Sequence, residues 1–397
     1  MDNFSPTLYL EINNKSFVFL VSINDNQNNF VKSFKLISSL SGVENNRITD
    51  HEKVYNTLKE NIYSLEKKFN FTFKEIIIIL ENFKPKFVNI SGYKKLSGSQ
   101  VLKENITYIL NTLKSNIDRI ETKKTIIHIF NSKFNLDNQK IDNLPIGLFG
   151  DFYSHELSFS LLDKNNLKNL ENIFSKLNIK IKKVLLKSFI EGVRICEEYK
   201  NAEYFYNIKM NKDNTKIFYF ENNSLKFEQQ FNFGSDIILK DISKITSIKI
   251  ETISKILKEI IFNNDILEDE LIDNKLFNKD HYKKIKKKLI YNIALARIKE
   301  ISEILIFKNI NLSYFNQNIS NIFLELDKLQ LYSFKEIYKK TFSKNGQLEV
   351  FFLDKLSEET ALKTANKLVH FGWNREAIPV LSEKKSAIAR FFDAIFS

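Results

Sequence analysis

The sequence predicts an α/β chain of two similar halves, with a small strand-helix-strand-strand unit inserted in the first half and an amphipathic helix at the C-terminus. Three observations predict it. A strand, a polar turn and two further strands over residues 7–38 recur in order and length over 203–233, with an Asn-Asn tip in each set. Residues 83–162 interrupt the first half with a segment of different texture. Residues 386–397, SAIARFFDAIFS, follow Pro379 and carry apolar side chains at helical spacing.

The elements follow in order. Residues 7–12 and 15–23 read as a hairpin turned at Asn13-Asn14, since asparagine tolerates the positive φ of tight turns. A third strand follows at 30–38. Val54, Leu58, Ile62, Leu65 and Phe69 mark one face of a helix over 51–69, and the wholly apolar 73–80 suits a strand covered on both faces. The inserted unit comprises a strand at 87–90, a helix over 99–118 capped by Ser99, and strands at 124–130 and 154–162. A helix at 166–177 follows, and a strand opens at 183–186 and runs into 189–198. The second half starts with strands at 203–208, 216–220 and 225–233, with 209–214 as a polar turn. Helices are expected at 237–245, 251–262 and, long and basic, 280–305. A strand at 322–326, a helix at 334–342, a strand at 348–353 and a helix at 358–371 complete the body. The domain boundaries are therefore 1–82 with 163–198, 83–162, 199–378 with an upper part at about 235–315, and 379–397.

Composition narrows the function. The chain has only nine glycines in 397 residues, against an average near 7%. No two are adjacent, which excludes a Walker loop, a dinucleotide fingerprint or a paired-glycine phosphate cradle. Sixty Lys and Arg against 48 Asp and Glu leave a net charge of +12, yet only six of the basic residues are arginine. Abundant Asn, Ile, Phe and Lys point to codon bias, and nucleic-acid binding is not expected because no recognition motif accompanies the charge. Cys196 is the single cysteine, which fits a reducing cytoplasm and excludes an intramolecular disulfide. The longest aliphatic run, 76–80, is far short of a membrane span.

Few residues carry chemistry. The histidines show no metal-ligand spacing and no nucleophile elbow exists, so neither a metal site nor a catalytic residue is expected. Lys283, Lys284, Lys286, Lys287 and Lys288 fall on the expected long helix, whose inner face would be Tyr282, Ile285, Leu289 and Ile293. They read either as a solvated basic face or as a dock for an acidic peptide. In the tail, Ile388, Phe391, Phe392 and Ile395 form the apolar stripe, widened by Ala387 and Phe396, with Arg390 opposite and Lys384 and Lys385 before it. Such a helix either docks on its own domain or lies in a lipid interface with its cations on anionic headgroups.

Four stretches resemble the bacterial actin-like cell-division proteins of the FtsA family, in the family's order and over almost the whole chain. Leu10-Glu11-Ile12-Asn13-Asn14 is similar to the first phosphate loop, 143–150 (NLPIGLFG) to the segment before the last strand of the inserted subdomain, 232–242 to the turn and helix opening the upper part of the second half, and 364–372 (TANKLVHFG) to the closing helix. The resemblance implies an actin-like two-half fold, self-association into filaments, docking of the FtsZ C-terminal tail on 235–315, and attachment of 386–397 to the cytoplasmic face of the membrane at the division site. It also implies an ATP site with magnesium, from which this sequence departs. Asn13 and Asn14 replace Gly and Thr in the first loop, the second loop around Asn211 has no glycine, and Glu325 stands at the adenosine loop. Neither ATP nor any other cofactor is therefore expected, and ATPase activity is not. An active actin-like ATPase or a PilM-type membrane-assembly adaptor are the alternatives.

Overall fold

The computed structural model describes residues 5–377, apart from positions 14, 26, 28, 45–46, 82, 264, 278–280, 316–318 and 345. Asn14 and all of the expected membrane helix, including Lys384, Lys385, Ala387, Ile388, Arg390, Phe391, Phe392, Ile395 and Phe396, lie outside the described residues.

Strands β1 (Ser5–Ile12), β2 (Ser16–Asn24) and β3 (Phe30–Ser39) precede a two-residue ribbon of β4 (Val43–Glu44) and β5 (Arg47–Ile48), then α1 (His51–Phe69) and β6 (Glu75–Leu80). Next come β7 (Lys86–Lys95), α2 (Lys103–Ile120), β8 (Lys124–Leu136), β9 (Gln139–Ile141), β10 (Phe152–Asp163), α3 (Lys164–Lys176), β11 (Lys180–Leu186) and α4 (Lys187–Glu198). The second half has β12 (Tyr204–Met210), β13 (Thr215–Glu221), β14 (Ser224–Phe231), α5 (Asp236–Thr246), α6 (Ile250–Glu259), α7 (Lys287–Ser302), β15 (Asn321–Leu326), α8 (Lys328–Phe342), β16 (Glu349–Leu353) and α9 (Glu358–His370).

Two sheets share one topology. The first runs β3-β2-β1-β6-β11 and the second β14-β13-β12-β15-β16. In each, three antiparallel strands continue into two parallel ones. The three-strand echo of the sequence thus extends to five strands, a duplication that defines the actin-like two-half fold. The apolar run Ile76–Leu80 sits between β1 and β11 and is buried throughout, as a central parallel strand requires. On the second sheet, Tyr206, Ile208 and Met210 face a core with α5, α6, α7 and α8.

The chain divides into two compact units: residues 1–84 with 171–371, and 85–170 with 372 onward. The first unit holds both sheets. The second is a four-stranded sheet, β7-β10-β8-β9, packed on α2 through Ile109, Leu110, Leu113 and Ile117.

Several elements depart from expectation for local reasons. Helix α2 starts at Lys103, not Ser99, because residues 99–101 bond to the 147–150 loop: Gly150 N–H donates to Ser99 O at 3.2 Å and Val101 N–H to Leu148 O at 2.9 Å. Its first turn is closed instead by the Asn105 side chain, which accepts from Leu102 N–H. The chain after Leu186 is a helix, not a continued strand. Lys209 and Met210 belong to β12 rather than to the turn. The long basic helix begins only at Lys287, since 285–287 pair as an extended segment with 270–272: Ile272 N–H donates to Ile285 O and Lys287 N–H to Glu270 O. Ile285 and Ile293 of the expected inner face are buried, the latter with Ile290, Tyr291, Ala294 and Ile298, while Tyr282 and Leu289 are about two-fifths exposed.

Candidate functional site

Helix α4 carries the polar centre of the first unit. From Lys187 to Val193 every residue is buried, Lys187, Ser188 and Glu191 included. Burial of charge is tolerated only with partners, and each of these has one on a strand. Lys187 pairs with Glu11 at the end of β1. Glu191 accepts from Lys209 of β12 at 2.6 Å, and Ser188 donates to Glu228 of β14 at 2.8 Å. One helix therefore bridges both sheets through side-chain bonds.

Lys209 and Lys216 stand directly opposite in the β12–β13 ladder. Like charges so placed repel, and surrounding carboxylates answer them. Burial works against the charged form of Lys209, but Glu191, Glu325 and Glu81 outweigh it and raise its pKa. Burial lowers that of Lys216, against the pull of Glu228 and Glu81. Burial also pushes the carboxyls of Glu11, Glu228 and Glu325 up, opposed chiefly by Lys187, Lys216 and Lys209 respectively. For Glu81 burial acts upward too, yet Lys209, Lys216 and Lys187 together hold it below the ordinary range.

The three turns singled out in the sequence are each closed by groups of the chain. In the β1–β2 turn, the Asn13 carboxamide oxygen accepts from Lys15 N–H at 2.9 Å, Ser16 N–H at 2.8 Å and Ser16 Oγ at 3.2 Å, an Asx arrangement. In the β12–β13 turn, Asn211 N–H donates to Asn214 O, while the carbonyls of Asn211 and Lys212 accept from Ser235 and Asp236 N–H at 2.9 and 3.0 Å. Those two amides sit at the start of α5, where a free anion would otherwise find donors. Gly234 permits this approach, because a Cβ there would lie under 3.0 Å from the Asn211 and Lys212 carbonyls. Beyond β15, Asp327 caps α8 by accepting from Gln330 N–H at 3.0 Å and also accepts from Ser235 Oγ at 2.7 Å. Glu325 is only partly exposed and points into the electrostatic neighbourhood of Lys209 and Lys355.

The structure thus places Glu325 beside Lys209 and the Asn211 turn against the start of α5, and keeps the lysine run elsewhere. Lys286 pairs with Asp269 at 2.6 Å, Lys287 with Glu270, and Lys288 with Glu268 at 3.9 Å. Lys283 donates to Ser247 O at 2.6 Å, and Lys284 is exposed just before the extended segment. The run is therefore largely answered by the acidic stretch 268–270. Sequence reasoning missed Lys187, Glu191, Lys209, Lys216 and Glu228. Their signal was a charge at every turn of an otherwise apolar helix, and alternation within β12.

The repeated sheet order gives the chain an actin-like fold of two halves, with a polar helix joining the two sheets. Sequence comparison then adds the particular resemblance read above: the chain is similar to the cell division protein FtsA. It is 22% identical to that of Buchnera aphidicola subsp. Schizaphis graminum over 210 residues, 52% of this chain and 49% of the relative. The Rhizobium meliloti protein is 20% identical over 269 residues, 66% and 60% of the two chains. The match spans about half the length of the first of these relatives. No protein-family model matches. Among solved structures, a PilM-PilN type IV pilus biogenesis complex aligns over 93% of this chain and 97% of its own at 9% identity and a TM-score of 0.49. MreB5 of Spiroplasma citri bound to AMPPNP aligns over 91% and 95% at 10% and 0.43.

Proposed function

We propose that this chain is a cell-division adaptor of the FtsA kind, which tethers FtsZ filaments to the cytoplasmic membrane and binds ATP weakly or not at all. The observation that carries the nucleotide half is the closure of the turns. A phosphate needs turn amides that face outward, and here the amides of Lys15, Ser16, Ser235 and Asp236 already donate to Asn13, Asn211 and Lys212. The lysines that could neutralise a polyanion are engaged by Glu11, Glu191 and Glu228 instead. These residues do not fit a bound nucleotide. Titration calorimetry of the full chain with Mg-ATP should show no saturable heat in the micromolar range; a hyperbolic isotherm would refute this half.

The tethering half is supported by the FtsA resemblance and by the composition of 384–397. No described helix is long and apolar enough to cross a membrane. In this reading the segment 384–397 makes the attachment, as a peripheral contact. Deleting 386–397 should release the protein from anionic liposomes; unchanged co-sedimentation would reject the anchor. An acidic or mixed FtsZ tail peptide would meet Lys283 and Lys284, since the neighbouring lysines are paired internally. Pull-down with that peptide, lost in Lys283→Glu/Lys284→Glu, tests the docking.

A further inference from the structure

The second unit has an open sheet edge that the chain itself fills. Strand β9 pairs with β8 only from Phe134 to Leu136, so the β8 edge around Phe130 lies beyond the reach of β9. A bare edge of this kind invites another strand. Residues 375–377 supply it: Asn131 N–H donates to Arg375 O and Ala377 N–H to Ile129 O, both at 2.7 Å, with Glu376 antiparallel to Phe130. Side chains reinforce the pairing. Glu376 pairs with buried His128 at 2.7 Å, Arg375 lies 5.4 Å over the Phe134 ring and donates to Asp142 O, and Ala377 is buried in the α2 core.

This strap decides where the C-terminal segment starts. Only seven peptide steps separate Ala377 from Lys384, and a chain spans at most about 3.5 Å per residue, so the leash reaches no further than about 25 Å. We propose that the strap fastens the anchor to the inserted unit and thereby holds that unit within about 25 Å of the lipid surface. The inference rests on the anchor reading above and adds which part of the molecule the membrane faces.

The test uses the full chain with a donor dye at Gln139→Cys, an exposed position of β9, in a Cys196→Ser background, and an acceptor lipid in anionic vesicles. Energy transfer is compared with a variant carrying sixty Gly-Ser residues after Ala377, whose root-mean-square span is about 43 Å, and with Arg375→Ala/Ala377→Pro, which removes the stacked guanidinium and the donor to Ile129. Strong transfer in the parent that falls at least twofold in both variants, at equal co-sedimentation, is the expected result. Equal transfer in all three with binding intact would overturn the strap and leave the anchor standing. Absence of vesicle binding by the parent would overturn both.

Discussion

Gly192→Ala is the sharpest test of how α4 is seated. In an exposed helix interior this change stabilises by about 1 kcal/mol, because alanine is the better helix former. At this position the sign should reverse. A Cβ on Gly192 would lie far inside 3.0 Å of Cζ, Cε1 and Cε2 of Phe220. That ring has nowhere to retreat. It is fully buried and stacked on Phe205 with centroids 4.9 Å apart, and Phe205 in turn abuts Phe323 edge-on at 5.2 Å. Overpacking of a filled core costs about 1–3 kcal/mol. The wedge would also lift Lys187, Ser188 and Glu191 from their partners on three strands, so the net loss should fall toward the upper end of that range. Urea unfolding followed by near-ultraviolet circular dichroism reads the aromatics of both units, most of which lie in the first, whereas fluorescence of the single tryptophan, Trp373, reads the second alone. The first signal should shift to lower urea and the second stay in place. Gly192→Ala/Phe220→Leu should recover part of the loss by making room. A Gly192→Ala protein as stable as the parent, or more so, would refute the packing described for α4.

Two further outcomes follow. Lys209→Met leaves Glu191, only 3% exposed, without its partner, and should cost about 3–5 kcal/mol, whereas Lys209→Met/Glu191→Leu should recover most of it; urea midpoints decide, and a Lys209→Met cost near that of a surface change would contradict the bridge. His155 is fully buried beside Phe134, and burial pushes its imidazole down to about 4. Between its unfolded value near 6.5 and about 4 the unfolded chain holds a proton that the folded one does not, so stability is full above 6.5 and falls by about 3 kcal/mol as pH drops to 4. Trp373 fluorescence melts at pH 7.5, 6 and 5 should show the decline, and His155→Phe should flatten it; an unchanged slope in the variant would reject the assignment.

The fold was legible because its signals are local and periodic. The apolar stripe of α1 and the unbroken run of β6 read directly as the elements observed. What escaped depended on pairing between distant segments. Residues 281–286 carry helix-forming lysines, yet Ile272 and Glu270 draw 285–287 into extended pairing, and tertiary contact overrides propensity. Ser99 has the chemistry of a cap but its backbone is taken by Gly150. The site was legible only as a list of missing glycines. That Asn13 caps its own turn, and that Glu191 and Lys209 meet at all, needs both sheets to be placed against α4 first.

Asparagine explains how the chain dispenses with glycine. Ten described non-glycine residues have positive φ, and five of them are asparagine: Asn70, Asn138, Asn178, Asn222 and Asn223. Asparagine enters the left-handed region at low cost, so a codon drift from glycine to asparagine can preserve the path of a turn. It does not preserve what the turn presents. A glycine turn leaves its amides facing outward, whereas an asparagine carboxamide can turn back and accept them, as Asn13 does for Lys15 and Ser16. Where neighbouring atoms occupy the space a Cβ needs, as against Phe220 at Gly192 and against the Asn211 and Lys212 carbonyls at Gly234, no such exchange is open. Packing therefore protects the glycines that hold the two sheets to α4 and α5, while nothing comparable protects those of an anion-binding turn. On the proposed function, a scaffold under this drift loses affinity for phosphate while keeping its fold, and the side chains that fill its turns then hold them closed.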